Sequence, residues 1–206
     1  MDRRFALKHI ATLTVVAALS QYAFAQTPKM VATPQPTEQS KKVEVLEFFS
    51  YACGHCRDFD PLLEKWKKNL PDDAYFVRIP VGFGRPAWAN LSRLYYTLEA
   101  LGALDRLHAA AFVALHDKGV RLDQNEVQPD WAASNGIDKA KFIETSKSFS
   151  VQSKVQRAEQ IIRNYKVDAV PMLVINGKYI AEGSDFPSIL QSADSLIQLA
   201  RKDQGR

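Results

Sequence analysis

One stretch of the sequence decides the fold, and it reads Val43-Glu44-Val45-Leu46-Glu47-Phe48-Phe49-Ser50-Tyr51-Ala52-Cys53-Gly54-His55-Cys56. Residues 43–49 are rich in β-branched and aromatic side chains, which is typical of a β-strand. Beyond Cys56 the apolar residues recur at helical spacing, at Phe59, Leu62, Leu63, Trp66 and Leu70. The pattern therefore predicts a strand that leads directly into two cysteines at the start of a helix.

The cysteine pair indicates redox chemistry rather than a structural disulfide. Cys53 and Cys56 are the only cysteines of the chain, and the loop between them is too small for a bridge to remove much unfolded-state entropy. At a helix start, free backbone N–H groups and the helix dipole stabilise a thiolate at Cys53 and lower its pKa. His55 adds to this effect when it is protonated or donates a hydrogen bond. Cys56, one turn further in, is predicted to be the shielded resolving thiol.

The chain begins with a predicted signal peptide over residues 1–25. Basic residues precede a short apolar run at residues 10–19, and Ala23-Phe24-Ala25 offers the small residues that a signal peptidase reads. The apolar run is shorter than the roughly 20 residues that span a bilayer. We therefore expect cleavage and export, with an N-terminal membrane anchor as the alternative.

Charge and length narrow the class of protein further. The formal net charge is +4 at pH 7, and the chain has no dense cluster of lysine and arginine of the kind that binds nucleic acid. Nucleic acid is therefore excluded as a partner. The residues after the signal are enough for one domain with an insertion, since domains run to roughly 100–200 residues.

Between the first strand and the C-terminal third, three segments are predicted. Residues 26–42 are rich in proline and polar residues, and we interpret them as a flexible leader. Residues 74–81 have the composition of a second strand. Residues 86–165 show helical periodicity with several breaks, which predicts a block of helices.

A hairpin and a last helix complete the predicted order. Asn176-Gly177 separates two apolar runs, residues 170–175 and 178–181, and this dipeptide is the strongest short signal for a β-hairpin. An amphipathic helix follows from about Phe186. The order of strand, helix, strand, helical block, hairpin and helix predicts a mixed sheet covered by helices.

Taken together, these motifs resemble the periplasmic DsbA family of thiol:disulfide interchange proteins, within the thioredoxin-like superfamily. The resemblance is carried by the stretch Glu47 to Cys56 with Pro61, the helical block, Val170-Pro171 and Val174-Ile175-Asn176-Gly177-Lys178-Tyr179. It implies an α/β thioredoxin fold with a mixed central sheet and an inserted all-helical domain. The thioredoxin-like domain would comprise residues 43–85 and 166–206, and the insertion residues 86–165.

The resemblance also implies an activity and a set of site residues. The chain would be a protein disulfide oxidoreductase that donates disulfide bonds to exported proteins through Cys53 and Cys56. Pro171 would be a cis-proline facing the cysteines, and the backbone of Val170 would pair with an extended substrate. Glu47 would be a buried carboxylate, its pKa raised by desolvation, that helps to move the Cys56 proton. The alternatives are a trans Pro171 at a strand edge and a Glu47 that faces water.

One departure from the family pattern concerns the active-site turn. Many DsbA relatives carry proline where this chain has Gly54, and glycine at this position resembles disulfide isomerases. A reductase or isomerase is therefore the alternative activity, although isomerases of the DsbC and DsbG type have an extra dimerisation domain for which this chain has no room. A peptide-binding chaperone that does not use its cysteines is the non-enzymatic alternative.

The resemblance finally implies the partners and the compartment. The substrates would be unfolded or partly folded exported proteins, and a quinone-linked membrane oxidase of the DsbB kind would recharge a monomeric enzyme in the periplasm. No cofactor is expected beyond the redox-active disulfide Cys53–Cys56. No metal is expected either, because His108 and His116 lack the usual spacing of zinc ligands. Both are more typical of surface or insertion residues than of ligands.

Overall fold

A computed structural model describes residues 27–205, so the signal peptide predicted for residues 1–25 lies outside the described residues. Within that part of the chain, four strands form one sheet: β1 (Val43–Phe49), β2 (Ala74–Pro80), β3 (Met172–Ile175) and β4 (Tyr179–Ala181). Their order across the sheet is β2-β1-β3-β4. β1 is parallel to β2 and antiparallel to β3, and β4 is antiparallel to β3. The predicted mixed sheet is confirmed.

Seven helices are described in the same part of the chain. They are α1 (Gly54–Lys67), α2 (Pro86–Ala100), α3 (Leu104–His116), α4 (Gln128–Ser134), α5 (Lys139–Ser146), α6 (Phe149–Tyr165) and α7 (Phe186–Asp203). The helices α2 to α6 follow one another between β2 and β3, where the sequence predicts a helical block. Among residues 27–205, no helix combines the length and the apolar character that crossing a membrane requires.

The central strand β1 is buried along its whole length, since helices cover both faces of the sheet. Leu46 and Phe48 pack into the core shared with the helical block, whereas Val43 and Val45 pack into a second core with residues of α1 and α7. Alternate residues of a strand point to opposite faces, so both sets are apolar only because both faces are covered. This double burial positions the end of β1, and hence the cysteines, rigidly.

Within the described residues, the predicted leader makes backbone contacts with the hairpin. Met30 forms an antiparallel bridge with Tyr179, and the backbone N–H of Val31 donates to the carbonyl of Lys178 at 2.9 Å. The N–H of Gln35 donates to the carbonyl of Gly177, also at 2.9 Å. Residues 29–35 are therefore docked on the hairpin, a long-range contact that the composition of a predicted flexible leader does not indicate.

Replacing Gly177 with alanine is expected to lower the free energy of unfolding by about 3 kcal/mol, which is at the upper end for overpacking a tight site. Gly177 has a φ of 67°, and an added Cβ would lie 2.1 Å from the carbonyl oxygen of Gln35. Gly119 has a similar φ of 64° but open space around it, so the matched Gly119→Ala should cost only about 1 kcal/mol. Urea unfolding of both variants measures the difference, and equal losses would contradict the docked position of the leader.

Candidate active site

The two cysteines lie where β1 gives way to α1. Cys53 is the N-cap residue of α1, with an extended backbone, and its sulfur accepts a hydrogen bond from the backbone N–H of Cys56 at 3.3 Å. Both cysteines are free thiols, so the structure represents the reduced protein. Cys53 is partly exposed, whereas Cys56 is only 1% exposed. The helix start therefore presents one thiol to solvent and hides the other.

The surroundings of the two thiols separate their pKa values widely. A hydrogen bond from the Cys56 thiol, assisted by the backbone N–H groups of Cys56 and His55 and by the charge of His55, lowers the pKa of Cys53 to about 6. Burial opposes this shift without cancelling it. Burial, and then the hydrogen bond to Cys53, raises the pKa of Cys56 far above its ordinary value. Cys53 is thus the thiolate nucleophile at neutral pH, and Cys56 keeps its proton.

The loop before β3 meets the exposed thiol. The Val170–Pro171 peptide bond is cis, as the resemblance implied. The sulfur of Cys53 lies 3.5 Å from the carbonyl oxygen of Val170, to which it donates a hydrogen bond while it is protonated. Val170 and Pro171 are both partly exposed beside it. Residues separated by more than a hundred positions are therefore brought together in one partly exposed site.

A buried charged cluster lies on the same two strands and on α1. Glu47 and Arg78 are register partners of β1 and β2, and the Arg78 Nε donates to the Glu47 carboxylate at 2.6 Å. Other nitrogens of the same guanidinium contact Asp60 at 2.9 Å and Glu64 at 2.7 Å. Burial raises the pKa of Glu47, although the charge of Arg78 opposes the shift. The predicted burial of Glu47 is confirmed, since this side chain is 2% exposed.

The cluster is electrostatically connected to the hidden thiol. The negative charge of Glu47 contributes to the raised pKa of Cys56. Asp60 lies four positions after Cys56 on α1, and therefore on the same face of the helix. Neither Arg78 nor Asp60 was predicted from the sequence. The available signals were an arginine in an otherwise apolar strand and an aspartate at helical spacing from a cysteine.

Two histidines of α3 contact Tyr51, which lies two positions before Cys53. His108 Nδ1 lies 2.9 Å from the hydroxyl of Tyr51, and His108 Nε2 lies 3.1 Å from the carboxylate of Asp60. His116 Nε2 lies 2.7 Å from the backbone carbonyl of Tyr51, to which it donates. Both histidines belong to the predicted insertion, yet His108 is buried and neither is remote from the site. Within residues 27–205, no group of three or more histidine, cysteine or acidic side chains is arranged to hold a metal ion.

Known proteins are similar to this chain in sequence over most of its length. A family model described as a DSBA-like thioredoxin domain matches residues 44–194. Over 204 residues the chain is 37% identical to the thiol:disulfide interchange protein DsbA of Bordetella parapertussis, and the match covers 97% of each chain. It is 36% identical over 174 residues to the protein of the same name from Pseudomonas aeruginosa, covering 83% of this chain and 82% of that one.

Solved structures agree with these relatives. The crystal structure of Pseudomonas aeruginosa DsbA superposes with a TM-score of 0.82 at 34% identity, covering 86% of this chain and 94% of that chain. The oxidoreductase DsbA of Xylella fastidiosa superposes with a TM-score of 0.78 at 30% identity, covering 84% and 94%.

Proposed function

The chain belongs to the DsbA family of thiol:disulfide interchange proteins, and from this premise we propose that it donates disulfide bonds to exported proteins. It is a protein disulfide oxidoreductase with a thioredoxin-like fold and a cysteine pair, Cys53 and Cys56. The observation that carries the direction of transfer is the position of Cys53 at the N-terminus of α1, where its sulfur accepts from the N–H of Cys56 and its pKa is lowered. A stabilised thiolate stabilises the reduced enzyme, so the oxidised enzyme becomes the stronger oxidant.

The proposed reaction transfers two electrons from the substrate thiols to the disulfide of the oxidised enzyme. A substrate thiolate attacks the Cys53 sulfur of the oxidised enzyme, a mixed disulfide forms, and the Cys56 sulfur leaves and takes up a proton. A second substrate thiolate then attacks the substrate sulfur of the mixed disulfide. Cys53 leaves as a thiolate, the substrate gains a disulfide, and the enzyme is left with two reduced cysteines. The low pKa of Cys53 makes it a good leaving group in this last step.

The cis-proline loop is proposed to hold the substrate. The Val170 carbonyl oxygen lies 3.5 Å from the Cys53 sulfur, so a chain that is joined to Cys53 passes beside Val170 and Pro171. Pairing with the N–H and C=O of Val170 would add the substrate as a short strand and would read its backbone rather than its side chains.

Gly54 begins α1 and a Cβ there would contact nothing within 4 Å, so the active-site turn tolerates other residues sterically.

Glu47 is proposed to exchange the proton of Cys56. Replacing it with glutamine is expected to slow the step in which Cys56 attacks a mixed disulfide by about tenfold or more, since a buried base is lost. The inflection that Glu47 gives to the pH profile of this step should also disappear. Release of glutathione from the Cys53 mixed disulfide, followed between about pH 4 and pH 9, measures both effects. The control is Glu126→Gln, at an exposed position, and a Glu47→Gln profile that coincides with it would remove Glu47 from the mechanism.

We place this activity in the periplasm, after cleavage of residues 1–25. Its substrates would be newly exported, partly folded proteins, and a quinone-linked membrane oxidase of the DsbB kind would reoxidise the cysteines. The enzyme would act as a monomer in which residues 86–165 form a helical insertion into the thioredoxin-like domain. The curated relatives that carry the name DsbA over nearly the whole chain support this placement.

The direction of transfer is tested by equilibrium with glutathione. The purified protein without residues 1–25 is incubated in buffers of known ratios of reduced to oxidised glutathione, and the free thiols are trapped. A reduction potential near about −120 mV, as in strong oxidases, supports disulfide donation. A value near about −270 mV, as in thioredoxin, would make the protein a reductase instead.

The Cys53 thiolate predicts a specific dependence on pH. Ultraviolet absorbance of the reduced protein should report thiolate formation with a midpoint near pH 6, the pKa given by the Cys56 hydrogen bond and the backbone donors. Because this folded-state pKa lies below the ordinary thiol value of 9.0, the extra stability of the reduced form is complete above pH 9.0 and is lost as the pH falls through about 6. Denaturant titrations of both redox forms should converge at low pH, and a constant gap between them would contradict the assignment.

A further inference from the structure

The buried charges behind Cys56 continue into the helical block through His108. Tyr51, His108, Asp60, Arg78 and Glu47 form one chain of contacts, with distances of 2.9, 3.1, 2.9 and 2.6 Å between successive partners. All five are buried, the most exposed being Arg78 at 8%. The chain links α3 to the carboxylate that is proposed to exchange the Cys56 proton.

The hydrogen bonds of His108 fix its protonation. Burial lowers the pKa of His108, so the ring is neutral and only one nitrogen carries a proton. The Asp60 oxygen that faces Nε2 also accepts from Arg78, so we assign the proton to Nε2, which donates to Asp60. Nδ1 then accepts from the hydroxyl of Tyr51. The ring is held from both sides and packs edge-on against Phe49 and Phe112.

A solvent-open cavity of about 690 Å³ gives this cluster a route to water. Asp60, Arg78 and His108 line its wall. Its lining includes neither Cys53 nor the cis-proline loop. Solvent therefore borders Asp60 and Arg78 at a wall that the cysteine site does not share.

We propose that His108 is a positioning residue for proton exchange at Cys56, which holds the carboxylate of Asp60 in place between Arg78 and the cavity. This inference rests on the proposed function of the cysteine pair. Without the donor of His108, the Asp60 carboxylate would keep one hydrogen-bond partner fewer and could turn away from Arg78. The negative charge of Asp60 raises the pKa of Glu47, so its displacement makes Glu47 a weaker base for Cys56.

The dependence on pH reflects every ionisable group that faces His108. These groups are Tyr51 before α1, Asp60 and Glu64 on α1, Arg78 on β2, Tyr95 and Glu99 on α2, and Asp105 on α3 itself, with Glu47 behind Arg78. Of these, the carboxylate of Asp60 and the hydroxyl of Tyr51 are the hydrogen-bond partners of the ring. Only Asp60 of these two partners contacts Arg78, so an effect of His108 on Glu47 passes through Asp60.

The experiment separates two steps of the reaction of the reduced protein with oxidised glutathione. Attack of Cys53 on glutathione disulfide depends on the Cys53 thiolate, whereas the following attack of Cys56 depends on the cluster. His108→Phe should slow the second step about tenfold, a part of the effect of losing a general base, and should move its inflection to lower pH. The first step should keep its rate. His108→Gln, which retains a donor for Asp60, should recover most of the second step.

Two further variants make the result decisive. Asp60→Asn removes the charge directly, so it should shift the profile of the second step in the same direction, and adding His108→Phe to it should change nothing more. Tyr96→Phe removes a buried hydroxyl outside the cluster and serves as the control. A second step that is unchanged in both His108→Phe and Asp60→Asn overturns the role of His108. A wild-type protein that fails in the first step overturns the proposed function as well.

Discussion

Replacing Cys56 with serine is expected to lower turnover by about 10³-fold or more and to leave the substrate joined to Cys53. Cys53 keeps its exposure and most of its backbone donors, so its thiolate still attacks the disulfide of a partner protein and forms a mixed disulfide. The Cys56 thiol, which would attack this mixed disulfide and release the partner, is missing. Non-reducing electrophoresis after mixing with a disulfide-containing protein should show the covalent complex accumulating.

The reciprocal variant provides the control. In Cys53→Ser the remaining thiol is Cys56, which is 1% exposed and has a strongly raised pKa. No complex should form at neutral pH, and alkylation of Cys56 should be slower than alkylation of Cys53 by about 100-fold or more, as the thiolate fractions differ. Equal trapping by the two variants would mean that the assigned roles of the cysteines are wrong.

Replacing Arg78 with leucine is expected to lower the free energy of unfolding by about 3–5 kcal/mol at neutral pH, the usual cost of leaving a buried charge unpaired. Arg78 contacts Glu47, Asp60 and Glu64, and the first two of these carboxylates are buried with it. Without the guanidinium, burial raises the pKa of Glu47 further above its ordinary value of 4.5. An acid whose folded pKa is raised stabilises the fold below its unfolded pKa and loses this as the pH rises.

The free energy of unfolding lost in Arg78→Leu should therefore be smallest near pH 4 and largest above about pH 7. Urea titrations at several pH values measure this dependence. Arg57→Leu is the matched control, because Arg57 pairs with Asp58 and Asp117 at the surface, and its loss should change the free energy of unfolding far less. Adding Glu47→Gln and Asp60→Asn to Arg78→Leu should recover part of the stability. A deficit that is independent of pH would show that packing rather than charge dominates.

The sequence predicts those parts of the fold that local patterns encode. The bounds of β1 at Val43–Phe49 follow from composition alone, and the Asn176-Gly177 turn, with φ values of 52° and 67°, follows from residues that tolerate positive φ. The helix at the cysteines is likewise periodic. Each of these signals is complete within a few neighbouring residues, so no tertiary contact is needed to recognise it.

The parts that could not be predicted depend on contacts between distant residues. Glu47 and Arg78 meet only because β1 and β2 pair in one particular register. His108 reaches Asp60 from a helix that lies 48 positions further along the chain. Local composition suggests an exposed charge or a surface histidine at such positions, and only the packing of α3 against α1 and β1 makes them parts of one site.

The docked leader has a consequence for the sheet as a whole. β4 is an outer strand, and an outer strand offers unpaired N–H and C=O groups to any other chain that approaches in an extended form. Here the N–H of Ile180 and the carbonyl of Lys178 are already bonded to Lys29 and Val31. The leader thus occupies backbone groups of β4 that could otherwise pair with another chain and lead to edge-to-edge aggregation. The backbone groups of β4 are therefore paired within the chain, whereas Val170 beside Cys53 stays partly exposed.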